Sequence, residues 1–188
     1  MRRAHGIMPQ TIEGVVRRVK AVFLSCLDVM LLRVGPQVFP RSRILLGFML
    51  LAYFLTDVLD AWLYGYSAVP VLLQSVLDAG IWVFFYLLLL GAWSVLPRLE
   101  QTLTAWFGAG VLFNLLSIPV ILGDVLLPGA DAQAWLFLPK FALILWPMMV
   151  MAYLLHHALR TGYALAVVLA VVCGLMNIGL LYYLFPVA

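Results

Sequence analysis

Two patterns of apolar and polar positions divide the chain near residue 43. Before it, Ile12, Val15, Val16, Val19, Val22, Phe23, Cys26, Leu27, Met30, Leu31 and Val34 recur at i, i+3, i+4 and i+7, the spacing of one helix face. Glu13, Arg17, Arg18, Lys20, Ser25, Asp28 and Arg33 fill the remainder. The pattern predicts an amphipathic, basic helix over about 12–34, ended by Gly35 and Pro36, because proline cannot continue the hydrogen-bond ladder and glycine tolerates the turn.

After residue 43 the periodicity gives way to long apolar runs at 44–64, 71–96, 103–127, 134–155 and 163–185, each near or above the ~20 residues a helix needs to cross the hydrocarbon. Breakers mark the joints, at Gly65 to Pro70, Pro97 to Glu100, Pro128 to Asp131 and His156 to Gly162. The fold class that follows is all-α. Residues 1–43 form a cytoplasmic segment with an interfacial amphipathic helix, and 44–188 a membrane bundle of five transmembrane helices. Within the spans, Gly162, Ala166, Ala170 and Gly174 recur every fourth residue, and Ala105 and Ala109 repeat the theme, which predicts close helix packing. Pro119 and Pro147 should each kink a span.

Composition sharpens the class. The 188 residues are 66% hydrophobic and 10% charged, with a mean hydropathy of +1.11, which excludes an ordinary soluble domain. The placement of the charges says more than the formal net charge of +3. Eight of the 11 basic residues, including Arg17, Arg18, Lys20, Arg33, Arg41 and Arg43, precede residue 44, so they are expected to meet anionic phospholipid headgroups, with no nucleic-acid partner. Arg98 and Arg160 fall in alternate joints, and the positive-inside rule then predicts a bacterial inner-membrane protein with its N-terminus in the cytoplasm and its C-terminus outside. Trp62, Tyr64, Tyr66 and Trp135 would form part of the outer aromatic belt. No apolar run with a small-residue cleavage site follows Arg2 and Arg3, so no removable signal peptide is expected. Cys26 is expected on the cytoplasmic surface and Cys173 inside the last span, so no disulfide joins them.

Charges inside spans are costly and therefore the first candidates for chemistry. Asp57, Asp60, Asp78 and Lys140 are expected in one layer of the outer third, at depths of about 6–11 Å from the span ends. Asn114 and Asn177 could extend that layer with amide hydrogen bonds. Lys140 there must deprotonate, snorkel or find an anion, and Asp57 or Asp78 is the expected partner. His156 and His157 are adjacent and point about 100° apart, so no metal or haem is expected on them. Arg98 and Glu100 read as interfacial charges. No Walker loop, dinucleotide motif, zinc spacing or serine elbow is present, so no catalytic residue, cofactor or metal is expected.

A cytoplasmic amphipathic helix followed by five closely spaced spans resembles the Yip1-domain family, with Gly35-Pro36 ahead of the first span roughly where eukaryotic relatives carry a longer Gly-Pro motif. The resemblance implies a non-enzymatic membrane organiser that binds partner proteins. Function is therefore expected to be that of a scaffold or accessory subunit in a homo- or hetero-oligomer. The alternative is a transporter or channel component whose outward cleft is lined by Asp57, Asp78 and Lys140.

Overall fold

The computed structural model describes residues 8–127 and 129–185. It contains helices α1 (Met8–Met30), α2 (Arg43–Leu63), α3 (Ala68–Ala92), α4 (Leu99–Leu126), α5 (Ala130–Leu159) and α6 (Tyr163–Leu184). No strand occurs among the described residues, and the last five helices are each long and apolar enough to cross a membrane. Five helices thus stand where the five spans are expected, and their ends differ for local reasons. The third helix, α3, starts three residues early because Pro70 occupies its first turn, where backbone N–H groups have no intrahelical partner. The start of α4 takes in the polar run Glu100 to Thr104, as the Thr102 and Thr104 hydroxyls donate to the Arg98 and Glu100 carbonyls at 2.9 and 2.6 Å. At the start of α2, the Ser42 side chain accepts from the Leu45 amide at 3.2 Å.

Three helices end on the same device. Leu32 at φ 58, Gly65 at φ 82 and Ser94 at φ 57 follow α1, α2 and α3 in the left-handed conformation. Paired backbone bonds close each end, as from Arg33 to Asp28 and from Leu32 to Val29, both 2.9 Å. Helix α1 therefore stops at Met30, where the apolar spacing runs on to Val34, and Gly35 and Pro36 lead into a separate short turn over Pro36–Val38.

The hub is α4. From Thr102 to Ala109 it is buried on every face, enclosed chiefly by α2 and α5 with α1 and α3. Inside lipid the gain comes from close contact rather than from escape from water, so small residues matter. A Cβ on Gly108 would meet Cys26 Sγ at 2.6 Å, and one on Gly110 would meet the Tyr53 ring at 2.6 Å. Ala105 and Ala109, both fully buried, belong to this surface. On α6, Ala166, Ala170 and Gly174 are buried and Gly174 lies against Met148 of α5, whereas Gly162 caps the helix and is exposed. The small-residue face is therefore used within the chain. The spans hold Pro119, Pro139 and Pro147 inside continuous helices.

Periodicity alone lays α1 flat on the membrane, but its C-terminal half enters the bundle. Cys26 and Val29 are buried against α4, and the Trp146 indole N–H of α5 donates to the Met30 carbonyl at 2.8 Å. Trp146 is 13 residues from Leu159, about 20 Å along α5, so Met30 reaches far beyond the helix ends at which Arg98 and Arg160 lie. Cys26 is correspondingly a core residue, not a surface one. The N-terminal half keeps Arg17, Arg18 and Lys20 exposed.

A polar cleft between the spans

The two ends of the bundle differ in charge. Arg43 bonds Glu100 at 3.1 Å, and Arg98 donates to the His157 and Ala158 carbonyls at 3.1 and 2.7 Å, so these residues share one end with Arg41 and Arg160. Near the opposite end, α2, α3, α4 and α5 surround a cavity of about 470 Å3 bordered by Asp57, Asp60, Ser75, Ser117, Tyr64, Tyr66 and Lys140. Ser117 and Leu143 also wall a second cavity of about 270 Å3, which holds Tyr53, Asp78, Asn114, Trp82 and Trp106. The two together form a polar cleft leading from the acidic end toward the middle of the spans.

Its residues come from helix turns that place polar side chains on one line. Asp57 lies six residues before the end of α2, about 9 Å, and Asp60 about 4.5 Å from that end. Asp78 lies ten residues into α3, about 15 Å, level with Tyr53 at the same distance from the end of α2. The three carboxylates are therefore stepped along the cleft rather than set in one layer. The early start of α3 is what carries Asp78 deeper than the apolar run suggested.

Asp78, Asn114 and Ser117 have partners there, whereas the buried Trp106 indole N–H has none among the described residues. The Tyr53 hydroxyl donates to Asp78 at 2.6 Å and the Asn177 amide donates to its other oxygen at 2.9 Å, so one carboxylate ties α2, α3 and α6. The carboxylate and the amide are both buried, where a missing partner would cost about 1–3 kcal/mol or more. The Asn114 amide donates to the Thr56 hydroxyl at 3.1 Å, and Ser117 approaches both Asp60 and the Asn114 carbonyl, its single hydrogen serving one at a time. The second Asp60 oxygen is buried with no partner among the described residues. Tyr53 and Ser117, absent from the sequence-derived candidates, are thus as central as the acids. The signal for Tyr53 was spacing, since Tyr53, Asp57 and Asp60 fall on one face of α2 at steps of four and three.

Lys140 corrects an expectation. Its ammonium bonds Asp124 at 2.6 Å and Gln133 at 3.0 Å, not Asp57 or Asp78. The flexible stem turns toward the ends of α4 and α5, where the pair sits at the rim with part of each side chain exposed, a cheaper place for two charges than the apolar middle. Among the described residues the ion pairs are Lys140–Asp124, Arg43–Glu100 and Arg33–Asp28, so none of Asp57, Asp60 and Asp78 is joined to a cation. Nor do any three Asp, Glu, His or Cys side chains there gather around a point as metal ligands would. His156 and His157 turn to the backbone, contacting the Thr161 and Tyr153 carbonyls at 2.6 and 2.9 Å. Asp131 lies outside the residues whose side chains are described.

No family model matches this chain, and no curated protein or solved structure is significantly similar to it.

Proposed function

We propose that the chain is a component of a membrane transport assembly whose cleft accepts protons or small monovalent cations. The observation that carries this reading is the open 470 Å3 space bordered by Asp57 and Asp60, with Asp78 deeper and no cation paired to any of them among the described residues. Stepped carboxylates suit a mobile positive charge handed inward, whereas a divalent metal wants its ligands gathered. The setting is the bacterial inner membrane, with the basic end and N-terminus in the cytoplasm, the C-terminus outside and the cleft facing outward. Arg17, Arg18 and Lys20 rest among anionic headgroups while the end of α1 dips between the spans. A bundle of five helices without an internal repeat works as an oligomer or with another subunit.

The test is flux in vesicles. Purified protein reconstituted with a pH gradient should dissipate it, and Asp57→Asn, which keeps the shape and removes the charge, should slow that flux at least about tenfold, as expected where a charge-assisted contact worth about 1.5–3 kcal/mol is lost. Wild-type flux in both Asp57→Asn and Asp78→Asn would overturn the proposal.

The close packing around α4 favours a second reading, a non-enzymatic scaffold or accessory subunit of the kind the Yip1-like layout suggests. Purification in mild detergent with partners identified by mass separates the two. A stable complex that retains full assembly in Asp57→Asn, with no flux in the wild type, would favour the scaffold.

A further inference from the structure

At the basic end, a cavity of about 360 Å3 lies where the turn before α2, the first turn of α4 and the end of α5 meet. Arg41, Arg98 and Arg160 line it, with His157, Gln37 and Gln101 beside them and no carboxylate on its wall. The nearest acid in sequence, Glu100, is engaged by Arg43 at 3.1 Å. Arg41, Arg98 and Arg160 therefore converge without an acidic partner among the described residues.

Arg41 and Arg160 are exposed at the edge of this cavity, where solvent screens their charges, and Arg98 is half-buried. Arg98 is fixed by its bonds to the last carbonyls of α5, at 3.1 Å to His157 and 2.7 Å to Ala158. Arg160 closes the same helix in the left-handed conformation at φ 55, which is rare for a residue with a Cβ. Arg41 precedes the Ser42 cap of α2, and Gln101 is anchored to the Phe39 carbonyl at 2.6 Å. Gln101 and Thr102 bring the first turn of α4 to the wall, opposite the last turn of α5, so the positive and negative helix ends offset each other and the guanidinium groups set the charge of the site.

We propose that this cavity binds a phosphate group. Planar guanidinium forks match phosphate oxygens two at a time, and the volume falls within the range of about 300–1,000 Å3 usual for ligand sites. The cavity lies level with the ends of the spans, so an anionic phospholipid can enter from the leaflet and a soluble phosphate ester from the aqueous side. The shared chemistry is the phosphate.

Two probes distinguish the sources. The full chain in phosphatidylcholine nanodiscs is titrated with inorganic phosphate by equilibrium dialysis, and nanodiscs containing phosphatidylglycerol are examined by native mass spectrometry for retained lipid. Arg41→Gln/Arg160→Gln is the variant, since both side chains are exposed and neither holds the fold as Arg98 does. Arg17→Gln/Arg18→Gln, which lowers the charge equally on α1, is the control. At least about tenfold weaker binding of either probe in the first variant, with the control unchanged, supports the site and identifies its source. Equal loss in the control, no loss in the variant, or no binding of either probe to the wild type would overturn it. Circular dichroism and thermal unfolding of the variant show whether it is folded, and Arg41→Lys/Arg160→Lys, which keeps the charge but loses the fork, should fall between the two.

Discussion

At the basic end, Arg98 reaches the last carbonyls of α5 and Arg43 reaches Glu100, and below them α4 is enclosed on every face. Toward the acidic end the same helices part around Asp57 and Asp60, while Lys140 turns away to Asp124 at the rim. The difference lies along a common hub. Gly108 and Gly110 let Cys26 and Tyr53 approach the α4 backbone closely, and beyond them Asn114 and Ser117 give α4 a polar face on the cavity walls. An apolar bundle thus gains a polar cleft without losing its packing, because closeness is concentrated in one half.

The largest expected effect tests the closed half. Gly108→Ala sets a Cβ 2.6 Å from Cys26 Sγ and should cost about 1–3 kcal/mol, read as a lowered unfolding midpoint in detergent. Cys26→Ala in the same chain should recover most of that loss, since the next contact, Cys26 Cβ, is at 3.6 Å. If Gly108→Ala is neutral, α1 does not dock where described.

Next comes the deep part of the cleft. Tyr53→Phe removes one of the two hydrogen bonds to the buried Asp78 carboxylate and should destabilise by about 1–3 kcal/mol. Asp78→Asn beside it should restore part of the stability by removing the underpartnered charge. A Tyr53→Phe chain as stable as the wild type would mean that the carboxylate reaches another donor.

At the rim the effect should be smaller. Lys140→Met breaks a partly exposed pair and is expected to change stability by less than about 1 kcal/mol, because solvent screens both charges. A loss of several kcal/mol would place the pair in the apolar interior and undo the contrast between rim and depth.

The smallest effect on stability is a chemical one. Cys26 is buried against Gly108 of α4, so maleimide should label it slowly until the protein unfolds. In a Cys173→Ala background, labelling at the rate of a free exposed thiol would show α1 detached.

Much of the architecture was legible in the runs themselves. Five stretches near span length, broken by Gly and Pro, led to five helices whose ends moved by only a few residues, because membrane length and breaker chemistry are local properties. The unread ends share a cause. Leu32 and Ser94 take the left-handed position that glycine usually fills, and only the paired backbone bonds reveal it. The acids were visible as candidates, but their partners were not. Asp78 finds Tyr53 and Asn177, 25 and 99 residues away in sequence, and Lys140 finds Asp124 because a flexible stem can choose the cheaper depth.

What the residues determined alone, then, is what depends on length, periodicity and the cost of charge in hydrocarbon: an all-helical chain, five helices long and apolar enough to cross a membrane, and a short roster of side chains that need explaining. Tertiary structure alone decided who satisfies them. It stepped Asp57, Asp60 and Asp78 along a cleft, drew the end of α1 inside, and gathered Arg41, Arg98 and Arg160 around one cavity. The physical reason is that helix rotation and depth are set by which small residues meet across interfaces, and such meetings between distant segments leave no period in the chain.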